Sequence, residues 1–274
     1  MRGFGEIAER LRRSTVQVFP HGRGKGGGSG VVWSSDGLIV TNAHVARSGE
    51  AEVELWDGRR FPSRVAARDP RRDLATLRLV GPTGGVTGLE IATPGDSDGL
   101  RPGELVIAIG NPLGFAGALS TGVIHSIGKL PGMGSQRWIR AAVQLAPGNS
   151  GGPLANAHGQ VVGINTAIVN GLGVAVPGNA AMDFLRRGPR PSLGVVLRPV
   201  SQGLLLLEVE PTGAAAAASL RAGDVLLGSF DDLNDALDSG REVLRLQFVR
   251  EWPAGGRARV REVAVRLDAR AEAA

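Results

Sequence analysis

Short apolar runs separated by turn residues dominate the chain from about residue 15 to residue 185. Stretches such as VQVF, GVVWS, GLIVT, ELVIAIG and GVAVP alternate with Gly, Pro and Asp. Runs of this length, rich in Val and Ile, are typical of antiparallel strands in a barrel or sandwich. No long helical period alternates with them, which disfavours a sheet built from βαβ units.

The pattern changes after a Pro- and Arg-rich segment, RRGPRPS, at residues 186–192. Beyond this predicted linker come a strand (LLLLEVE), a turn with a short helix, a second helix (FDDLNDALDSG) and a closing hairpin. A module of this size falls within the usual range of domain lengths. We therefore predict two domains, over residues 1–188 and 189–274, of which the second is a small α/β module.

The N-terminal segment predicts a short amphipathic helix over residues 3–13. Its apolar residues Phe4, Ile7, Ala8 and Leu11 share one helical face. The segment lacks the apolar core of a signal peptide, and no apolar run approaches the roughly 20 residues of a membrane helix. We expect no membrane span and a cytoplasmic protein, or a cell-envelope (periplasmic) one if an export segment has been removed.

Composition narrows the possible chemistry. The 274 residues include 42 Gly and no Cys, so tight turns are easily made and a cysteine nucleophile is excluded. The formal net charge is +5, but the arginines are dispersed and not interleaved with aromatics, which favours solvated faces over a nucleic-acid surface. No His, Asp and Glu cluster has metal-ligand spacing, and we expect neither a metal nor a cofactor.

The strongest chemical signal is GNSGGPL, which places Ser150 between glycines. Glycine permits positive φ and leaves backbone N–H groups uncovered, so that they can converge on a developing oxyanion. A serine hydroxyl is a weak nucleophile without a base. The motif therefore predicts a histidine and an orienting carboxylate elsewhere in the chain.

Four histidines are available as the base. His44 follows the apolar run GLIVT, and the end of a strand is a rigid mount for a general base. His21 lies in a Gly-rich stretch, His125 inside a predicted strand and His158 in a predicted turn. Asp73, at the head of the strand LATLRL, is the candidate carboxylate. The sequence thus predicts a catalytic triad.

The order His, Asp, Ser along the chain is that of chymotrypsin-type enzymes. The rival G-x-S-x-G elbow of α/β-hydrolases needs a later histidine with a carboxylate before it. Only His158 follows Ser150, no carboxylate lies between them, and Pro153 favours a strand–turn–strand over an elbow helix. The Gly-rich HGRGKGGGSG lacks phosphate-loop spacing, since Lys25 is followed by Gly26.

Five blocks of the first domain resemble, in order, the protease domain of the HtrA (high-temperature requirement, or Deg) family. They are SGVVWSSDGLIVTNAHVA, RRDLATLRL, LRPGELVIAIGNPLG, LSTGVIHSIG and APGNSGGPLANAHGQVVGINTAI, and they cover most of residues 14–185. In the second domain, SLGVVL and EVEPTGAAAAASLRAGDVLL resemble the carboxylate-binding loop region and the core of the family's PDZ domain. The resemblance implies a mainly β protein, a chymotrypsin-like double β-barrel followed by a small α/β PDZ-like domain.

The resemblance also implies roles for individual residues. His44 is the implied general base, Asp73 the orienting acid and Ser150 the nucleophile of an acyl-enzyme mechanism. Backbone N–H groups of Gly148 and Ser150, with Asn149 between them, are the implied oxyanion hole.

Two binding surfaces are implied as well. The substrate pocket falls in NGLGVAVP, whose small apolar side chains and lack of Asp predict cleavage after Val, Ala or Leu and not after Arg or Lys. Its predicted residues are Gly171, Leu172, Gly173 and Val174. The predicted peptide-binding residues of the PDZ-like domain are Leu193, Gly194, Val195 and Val196.

The chain departs from the family pattern in several places. AAVQLAPGNS lacks the acidic residue and Asn that usually precede the serine, and the long insertion loop near the N-terminus is absent. GDVLLGSFDDLNDAL lacks the turn and short strand that normally follow GDVL, so the peptide groove is expected to be altered or partly lost. KLPGMGSQR, residues 129–137, occupies the place of the regulatory sensor loop and is short.

The family implies a serine endopeptidase that acts on unfolded or damaged proteins and assembles as a homotrimer. Phe4 is expected to contribute to trimer contacts or to dock within the chain. C-terminal peptides are expected partners of residues 193–196, and their binding is predicted to order the loop at 129–137. The alternative is a latent protease that acts mainly as a peptide-binding or chaperone-like module; a third hypothesis, a nucleic-acid binder, rests on basic charge alone.

Overall fold

Two compact units make up the molecule in a computed structural model of the chain. The first runs to residue 129 and from 136 to 189, and the second comprises residue 130 and the residues from 191 onward. The structure describes residues 3–20, 27–47, 49–81, 86–111, 117–130, 136–189, 191–250 and 259–267.

The chain begins with helix α1 (Phe4–Arg13), at the position where the apolar spacing predicts one. Ile7 and Leu11, four residues apart and therefore on one face, are buried. Phe4 is 53% exposed, so it is not docked within the chain. The helix packs against strands of both barrels described below.

Six antiparallel strands of the first unit close into a barrel in the order β1-β2-β3-β6-β5-β4. Alternate apolar residues such as Val16, Ile39, Val53 and Leu77 fill its interior and are almost fully buried. The strands are β1 (Thr15–Pro20), β2 (Gly28–Val32), β3 (Leu38–Thr41), β4 (Glu50–Glu54), β5 (Arg60–Asp69) and β6 (Leu74–Leu79).

A second barrel follows in the same unit. Its sheet has the order β11-β8-β9-β10-β13-β12-β7, and pairing of β11 with β12 closes six of these strands. The two-residue β7 joins β12 as a parallel addition. The strands are β7 (Thr93–Pro94), β8 (Leu105–Gly110), β9 (Ala118–Lys129), β10 (Arg137–Ala141), β11 (Pro153–Asn156), β12 (Gln160–Val169) and β13 (Leu172–Pro177).

Helix α2 (Gly178–Arg187) ends the first unit and corrects the sequence interpretation, which assigned only strands up to residue 185. Its apolar face is short: Ala181 and Phe184, three residues apart, are buried. Two residues at helical spacing directly after the apolar strand run GVAVP do not distinguish a helix from a strand. The predicted linker therefore overlaps the last turn of this helix.

The second unit is a five-stranded sheet of order β14-β15-β16-β17-β18 with two helices. Ser229 caps α4 in a capping box with Asp232. The chain passes from the two-residue β16 to α4 with no further strand between them, in keeping with the shortened sequence after GDVL. The elements are β14 (Val195–Val200), β15 (Gly203–Val209), α3 (Ala214–Ala217), β16 (Val225–Leu226), α4 (Phe230–Asp238), β17 (Val243–Val249) and β18 (Arg261–Arg266).

The predicted fold class, mainly β with two closed six-stranded barrels and a smaller C-terminal α/β module, is confirmed. In the part of the chain that the structure describes, no helix is long and apolar enough to cross a bilayer. Nor does that part contain a group of three or more His, Asp and Glu side chains arranged to hold a metal ion.

Candidate active site

The predicted triad residues lie on short connections of the two barrels. His44 follows β3, and Asp73 immediately precedes β6, so both belong to the first barrel. Ser150 lies between β10 and β11 of the second barrel. Hydrogen bonds through Thr166, on β12, connect the two groups.

The imidazole of His44 faces the Asp73 carboxylate. Nδ1 lies 2.8 Å from Oδ2 and 3.0 Å from Oδ1, and the backbone N–H of His44 donates to Oδ1 at 3.1 Å. An ionised carboxylate only accepts, so this contact places the ring hydrogen on Nδ1. Nε2 is then an acceptor able to take a proton.

Asp73 is held in an unusual backbone conformation. Its φ is +54°, a left-handed value that a non-glycine residue rarely adopts. The side-chain amide of Asn42 donates to the Asp73 carbonyl at 2.8 Å, and the Thr166 hydroxyl donates to its carboxylate Oδ2. These contacts hold the strained residue so that its carboxylate points at the His44 ring.

Thr166 reaches the site because it is a bulge residue. The register of β12 with β13 shifts between Asn165 and Ala167, which leaves Thr166 as the extra residue. A bulge turns a residue out of the ladder, so its hydroxyl and carbonyl are both available to the site. The hydroxyl binds Asp73, and the carbonyl accepts a hydrogen bond from Ser150 Oγ at 3.0 Å.

The Ser150 hydroxyl is therefore bonded to a carbonyl in this structure. Within the described residues, no hydrogen bond joins it to the His44 ring. Rotation about the Cα–Cβ bond, a movement between staggered rotamers, would release Oγ from Thr166 and redirect it.

The serine loop needs glycine at two positions. Gly151 has φ of +88°, and a Cβ there would lie 2.0 Å from the Ser29 carbonyl oxygen. A Cβ on Gly152 would lie 2.2 Å from the Ile109 carbonyl oxygen. The glycines after the serine in GNSGG thus permit close approach of the loop to the backbone of both barrels.

Two backbone N–H groups beside the serine hydroxyl are unused. In the described part of the chain, the N–H groups of Gly148 and Ser150 donate no hydrogen bond. The intervening Asn149 is buried, and its N–H donates to the Ala146 carbonyl at 3.0 Å. The pair of free donors is the feature that an oxyanion hole requires.

A cavity of about 460 Å³ opens next to the serine loop. None of the described residues that line it is charged, and the polar ones are Ser120, Gln144 and Asn149. Its residues are Ala118, Leu119, Ser120, Val143, Gln144, Leu145, Ala146, Asn149, Ile168 and Gly171.

Of the predicted pocket residues, only Gly171 lines this cavity. Gly173 lies behind its wall, since a Cβ there would meet the side chains of Val143 and Leu145 at 2.7 and 3.0 Å. Val174 is fully buried, and Leu172 begins β13 without reaching the cavity.

The predicted peptide-binding residues of the second unit differ in exposure. Leu193 is buried in the unit's core, and Gly194 has φ of +68°, with its carbonyl accepting from Glu210 N–H at 2.8 Å. Val195 and Val196 begin β14, an edge strand, and Val196 is 48% exposed. The predicted sensor loop at 129–137 lies largely outside the described residues.

Sequence reasoning missed Thr166, Asn42 and the buried Ser29, whose hydrogen bonds hold the site together. Asn42 stands two residues before the histidine in TNAH, a position that could have suggested a local hydrogen bond. Ser29 and Thr166 carry no such signal, because a Ser or Thr inside an apolar strand run looks like any other strand residue.

Comparisons with known proteins agree with this geometry. A sequence profile described as trypsin-like peptidase domain matches residues 28–164. A probable periplasmic serine endoprotease DegP-like from Halomonas elongata is 38% identical over 73% of this chain and 47% of its own length. Periplasmic serine endoprotease DegP of Escherichia coli is 32% identical over 84% of this chain and 52% of its own length.

Comparison with solved structures also identifies HtrA-type proteases as similar. An HtrA-type protease, AlgW with tripeptide, has a TM-score of 0.65 at 27% identity, with 97% of each chain covered. The chain spans about half the length of the curated relatives it matches. The family profile, the named relatives and the double-barrel fold agree: the chain belongs to the HtrA/Deg group of trypsin-like serine peptidases.

Proposed function

We propose that this chain is a serine endopeptidase in which Ser150 is the nucleophile, His44 the general base and Asp73 the orienting acid. The observation that carries the proposal is one connected set of hydrogen bonds. It runs from the His44 ring to Asp73, from Asp73 to the Thr166 hydroxyl, and from the Thr166 carbonyl to the Ser150 hydroxyl.

The reaction would proceed by acyl transfer. Ser150 Oγ leaves the Thr166 carbonyl, gives its proton to His44 Nε2 and attacks the scissile carbonyl carbon. The imidazolium, stabilised by the Asp73 carboxylate, then protonates the leaving amine. Water, activated by the same imidazole, hydrolyses the acyl-enzyme and regenerates the free serine.

The free N–H groups of Gly148 and Ser150 are the proposed oxyanion hole. Both sit beside the Ser150 hydroxyl, and neither has another partner among the described residues. Two donors already in place need no reorganisation when negative charge develops on the substrate oxygen. Each is worth about 2.7–4 kcal/mol of transition-state stabilisation in measured cases.

The cavity beside the loop is the proposed P1 site. Val143, Leu145 and Ile168 give it apolar walls, and no carboxylate is present to pair with a basic side chain. We expect cleavage after Val, Ala or Leu. A library of fluorogenic peptides that differ only at P1 tests this, and a profile dominated by Arg or Lys contradicts it.

The wider role follows from the relatives, two of which are named as periplasmic endoproteases. Unfolded or damaged polypeptides are the proposed substrates, the cell envelope the proposed compartment and a homotrimer the proposed assembly. Residues 189–274, most of which belong to the second unit, are proposed to act as a PDZ-like domain that binds C-terminal peptides along the edge strand β14 near Val196. A structural neighbour, AlgW, was solved with a tripeptide.

A fluorophosphonate probe tests the central claim. Such a probe labels only an activated hydroxyl, so the wild type should react and Ser150→Ala should not, with casein hydrolysis following the same pattern. His44→Ala, which keeps the hydroxyl but removes the base, should also fail to react.

The alternative, a latent protease that mainly binds peptides, rests on the hydrogen bond that Ser150 makes to Thr166 in place of His44. A wild type that binds unfolded casein but neither cleaves it nor reacts with the probe, with or without an added C-terminal peptide, would favour that alternative.

A further inference from the structure

Ser29, on β2 of the first barrel, contacts the serine loop through its backbone and its side chain. Its N–H donates to the Ser150 carbonyl at 2.7 Å, and its hydroxyl donates to the Gly148 carbonyl at 2.7 Å. Ser29 has no solvent exposure. Ser29, in the first barrel, thus holds the carbonyl groups of Gly148 and Ser150, which belong to a loop of the second barrel.

The hydroxyl of Ser29 is itself fixed from the second barrel. The backbone N–H of Asn111, just after β8, donates to Ser29 Oγ at 2.9 Å. Asn111 is also fixed, since its side chain donates to the Val16 carbonyl at 2.9 Å and accepts from Gly117 N–H at 2.8 Å. The side-chain amide of Asn111 also donates to Ser29 Oγ, at 3.4 Å. With both lone pairs of Oγ facing donors of Asn111, the hydroxyl hydrogen of Ser29 is directed at Gly148.

These bonds have a consequence for the two free N–H groups. The carbonyls of Gly148 and Ser150 both point toward β2, and the Asn149 carbonyl accepts from Gly152 N–H at 3.0 Å. The peptides on the carboxyl side of all three residues are therefore fixed. The peptide between Gly148, with φ of +106°, and Asn149 is held at both ends: its carbonyl accepts from Ser29, and its N–H donates to the Ala146 carbonyl.

We propose that Ser29 is a positioning residue for the oxyanion hole: its hydroxyl helps to hold the Gly148–Asn149 peptide, which lies between the two peptides that carry the Gly148 and Ser150 N–H groups. This inference rests on the proposed function. Ser29 does not touch substrate, and it acts through Gly148. Its effect should therefore fall on the transition state, where the oxyanion exists, and not on ground-state binding.

The chain offers a matched control in Ser63, on β5 of the same barrel. Ser63 is also buried, and its hydroxyl also donates to one backbone carbonyl, that of Ala51, at 2.8 Å. It contacts no residue of the serine loop. Ser29→Ala and Ser63→Ala thus remove the same atom from equally buried sites in the same barrel, and only the first loosens Gly148.

The experiment compares the full-length wild type with both variants in peptide hydrolysis, in binding of a peptide boronate that mimics the tetrahedral intermediate, and in thermal unfolding. We expect Ser29→Ala to lower kcat about 10- to 100-fold, because small misplacements of catalytic groups have effects of this size. Boronate affinity should fall by a similar factor, while KM and the kinetic pKa of the base stay unchanged. Ser63→Ala should match the wild type in all kinetic values. Ser29→Ala should lose somewhat more thermal stability than Ser63→Ala, because it also removes the acceptor of the Asn111 N–H.

Several results would overturn the proposal. One is a Ser29→Ala enzyme with wild-type kcat and boronate affinity. Another is a variant that loses substrate affinity and kcat together and melts far below Ser63→Ala, which indicates a purely structural role. If Ser29→Ala does not fold, Ser29→Cys keeps a donor at this position, weaker and on a larger atom, and is judged by the same criteria. A wild type that does not react with a fluorophosphonate removes the proposed function and this inference together, whereas a reactive wild type with unaffected Ser29 variants removes this inference alone.

Discussion

At the scale of single residues, the site depends on hydrogen bonds made by side chains that take no part in the proposed chemistry. Asp73 is only 20% exposed, and its carboxylate accepts from the His44 ring, the His44 N–H and the Thr166 hydroxyl. Several donors fix the direction of this carboxylate. Thr166 lies on β12 of the second barrel, whereas Asp73 belongs to the first. It therefore links Asp73 to the strand whose carbonyl accepts from Ser150.

Replacing Thr166 with Val tests this link. Valine keeps the shape of the side chain but removes the hydroxyl that donates to Asp73. A hydrogen bond to a charged group is worth roughly 1.5–3 kcal/mol, so kcat/KM should fall about 10- to 100-fold. Peptide hydrolysis under kcat/KM conditions measures the effect.

Thr15→Val is the control for that substitution. Thr15 is buried, and its hydroxyl donates to the Leu11 carbonyl at 2.8 Å, away from the site. It should lose stability with unchanged kcat/KM. Equal kinetic effects of the two variants, or none at Thr166, would show that the Thr166 hydroxyl does not support Asp73.

The sequence predicts the chemically distinctive residues of the site but not those that support them. His44 and Ser150 stand out because few histidines exist and because glycines surround the serine. The support from Thr166 arises from a bulge in β12, and Ser29 contacts the loop across 119 residues of sequence separation. Neither a bulge nor a pairing between barrels is encoded in a local pattern, so only the folded chain reveals them.

At the scale of elements, helix α2 is joined to the turn that carries Asp73. Arg72, 6% exposed at its side chain, donates to Asp183 on α2 at 2.8 Å and lies 3.6 Å from the buried Asp69. Asp69 in turn accepts from the backbone N–H groups of Arg71 and Arg72 at 3.1 Å. The ion pair ties the turn before β6 to the last helix of the first unit.

The two arginines that share Asp183 give a matched comparison. Arg187, 76% exposed, also contacts Asp183 at 2.8 Å. Arg72→Ala should reduce the free energy of unfolding by about 3–5 kcal/mol, because it removes one partner of a buried ion pair. Arg187→Ala should change it by less than about 1 kcal/mol, since an exposed pair is screened by water. Urea unfolding measures both, and similar losses in the two variants would contradict the assignment of Arg72 as a buried tie.

Helix α1 contains ion pairs whose contribution to stability depends on pH. Hydrogen bonds from Arg12 and then Arg13 lower the pKa of Glu9 from 4.5 to about 2. Because the folded-state pKa is depressed, the stabilisation is present above pH 4.5 and is lost as the pH falls toward 2. Glu9→Gln should therefore melt below the wild type at pH 7, and the difference should shrink at pH 3. Glu6→Gln, which removes the same charge one turn earlier, is the control; a Glu9 difference that stays constant with pH would refute the coupling.

Elements were predictable where their pattern was long or bounded by distinctive residues. The helix over residues 3–13, the two short helices of the second unit and its closing hairpin agree with the structure, which adds strands β14 and β16. Helix α2 was missed because its buried face has only two apolar side chains, those of Ala181 and Phe184. The helix also follows an apolar strand directly, so the sequence gives no sign of where it begins. A helix of ten residues has fewer than three turns, so the 3.6-residue repeat of apolar positions is hard to recognise in it.

At the scale of the whole molecule, the chain contains separate hydrophobic cores. Among the described residues, each barrel of the first unit has a core, and the second unit has its own, built around residues such as Leu206, Leu244 and Val265. Strand-length apolar runs predicted a barrel or sandwich, and the His, Asp, Ser order indicated a chymotrypsin-type enzyme, whereas the double barrel was implied by the family resemblance. The closure of each barrel could not be predicted from the sequence. It depends on the pairing of β11 with β12 and of β1 with β4, which no local pattern specifies.

Separate cores predict separate unfolding transitions, and paired Leu→Ala substitutions test this. Leu77 in the first barrel and Leu206 in the second unit are both almost fully buried, so each substitution should remove about 2–5 kcal/mol from its own unit. The same loss lowers the melting temperature of a unit of about 80 residues roughly twice as far as that of one of about 180 residues, because the unfolding entropy grows with size. In scanning calorimetry of the full chain, Leu206→Ala should shift one transition strongly and leave peptide hydrolysis at 25 °C unchanged, whereas Leu77→Ala should shift the other transition by fewer degrees. A single transition that both substitutions shift together would mean that the two units unfold as one cooperative body.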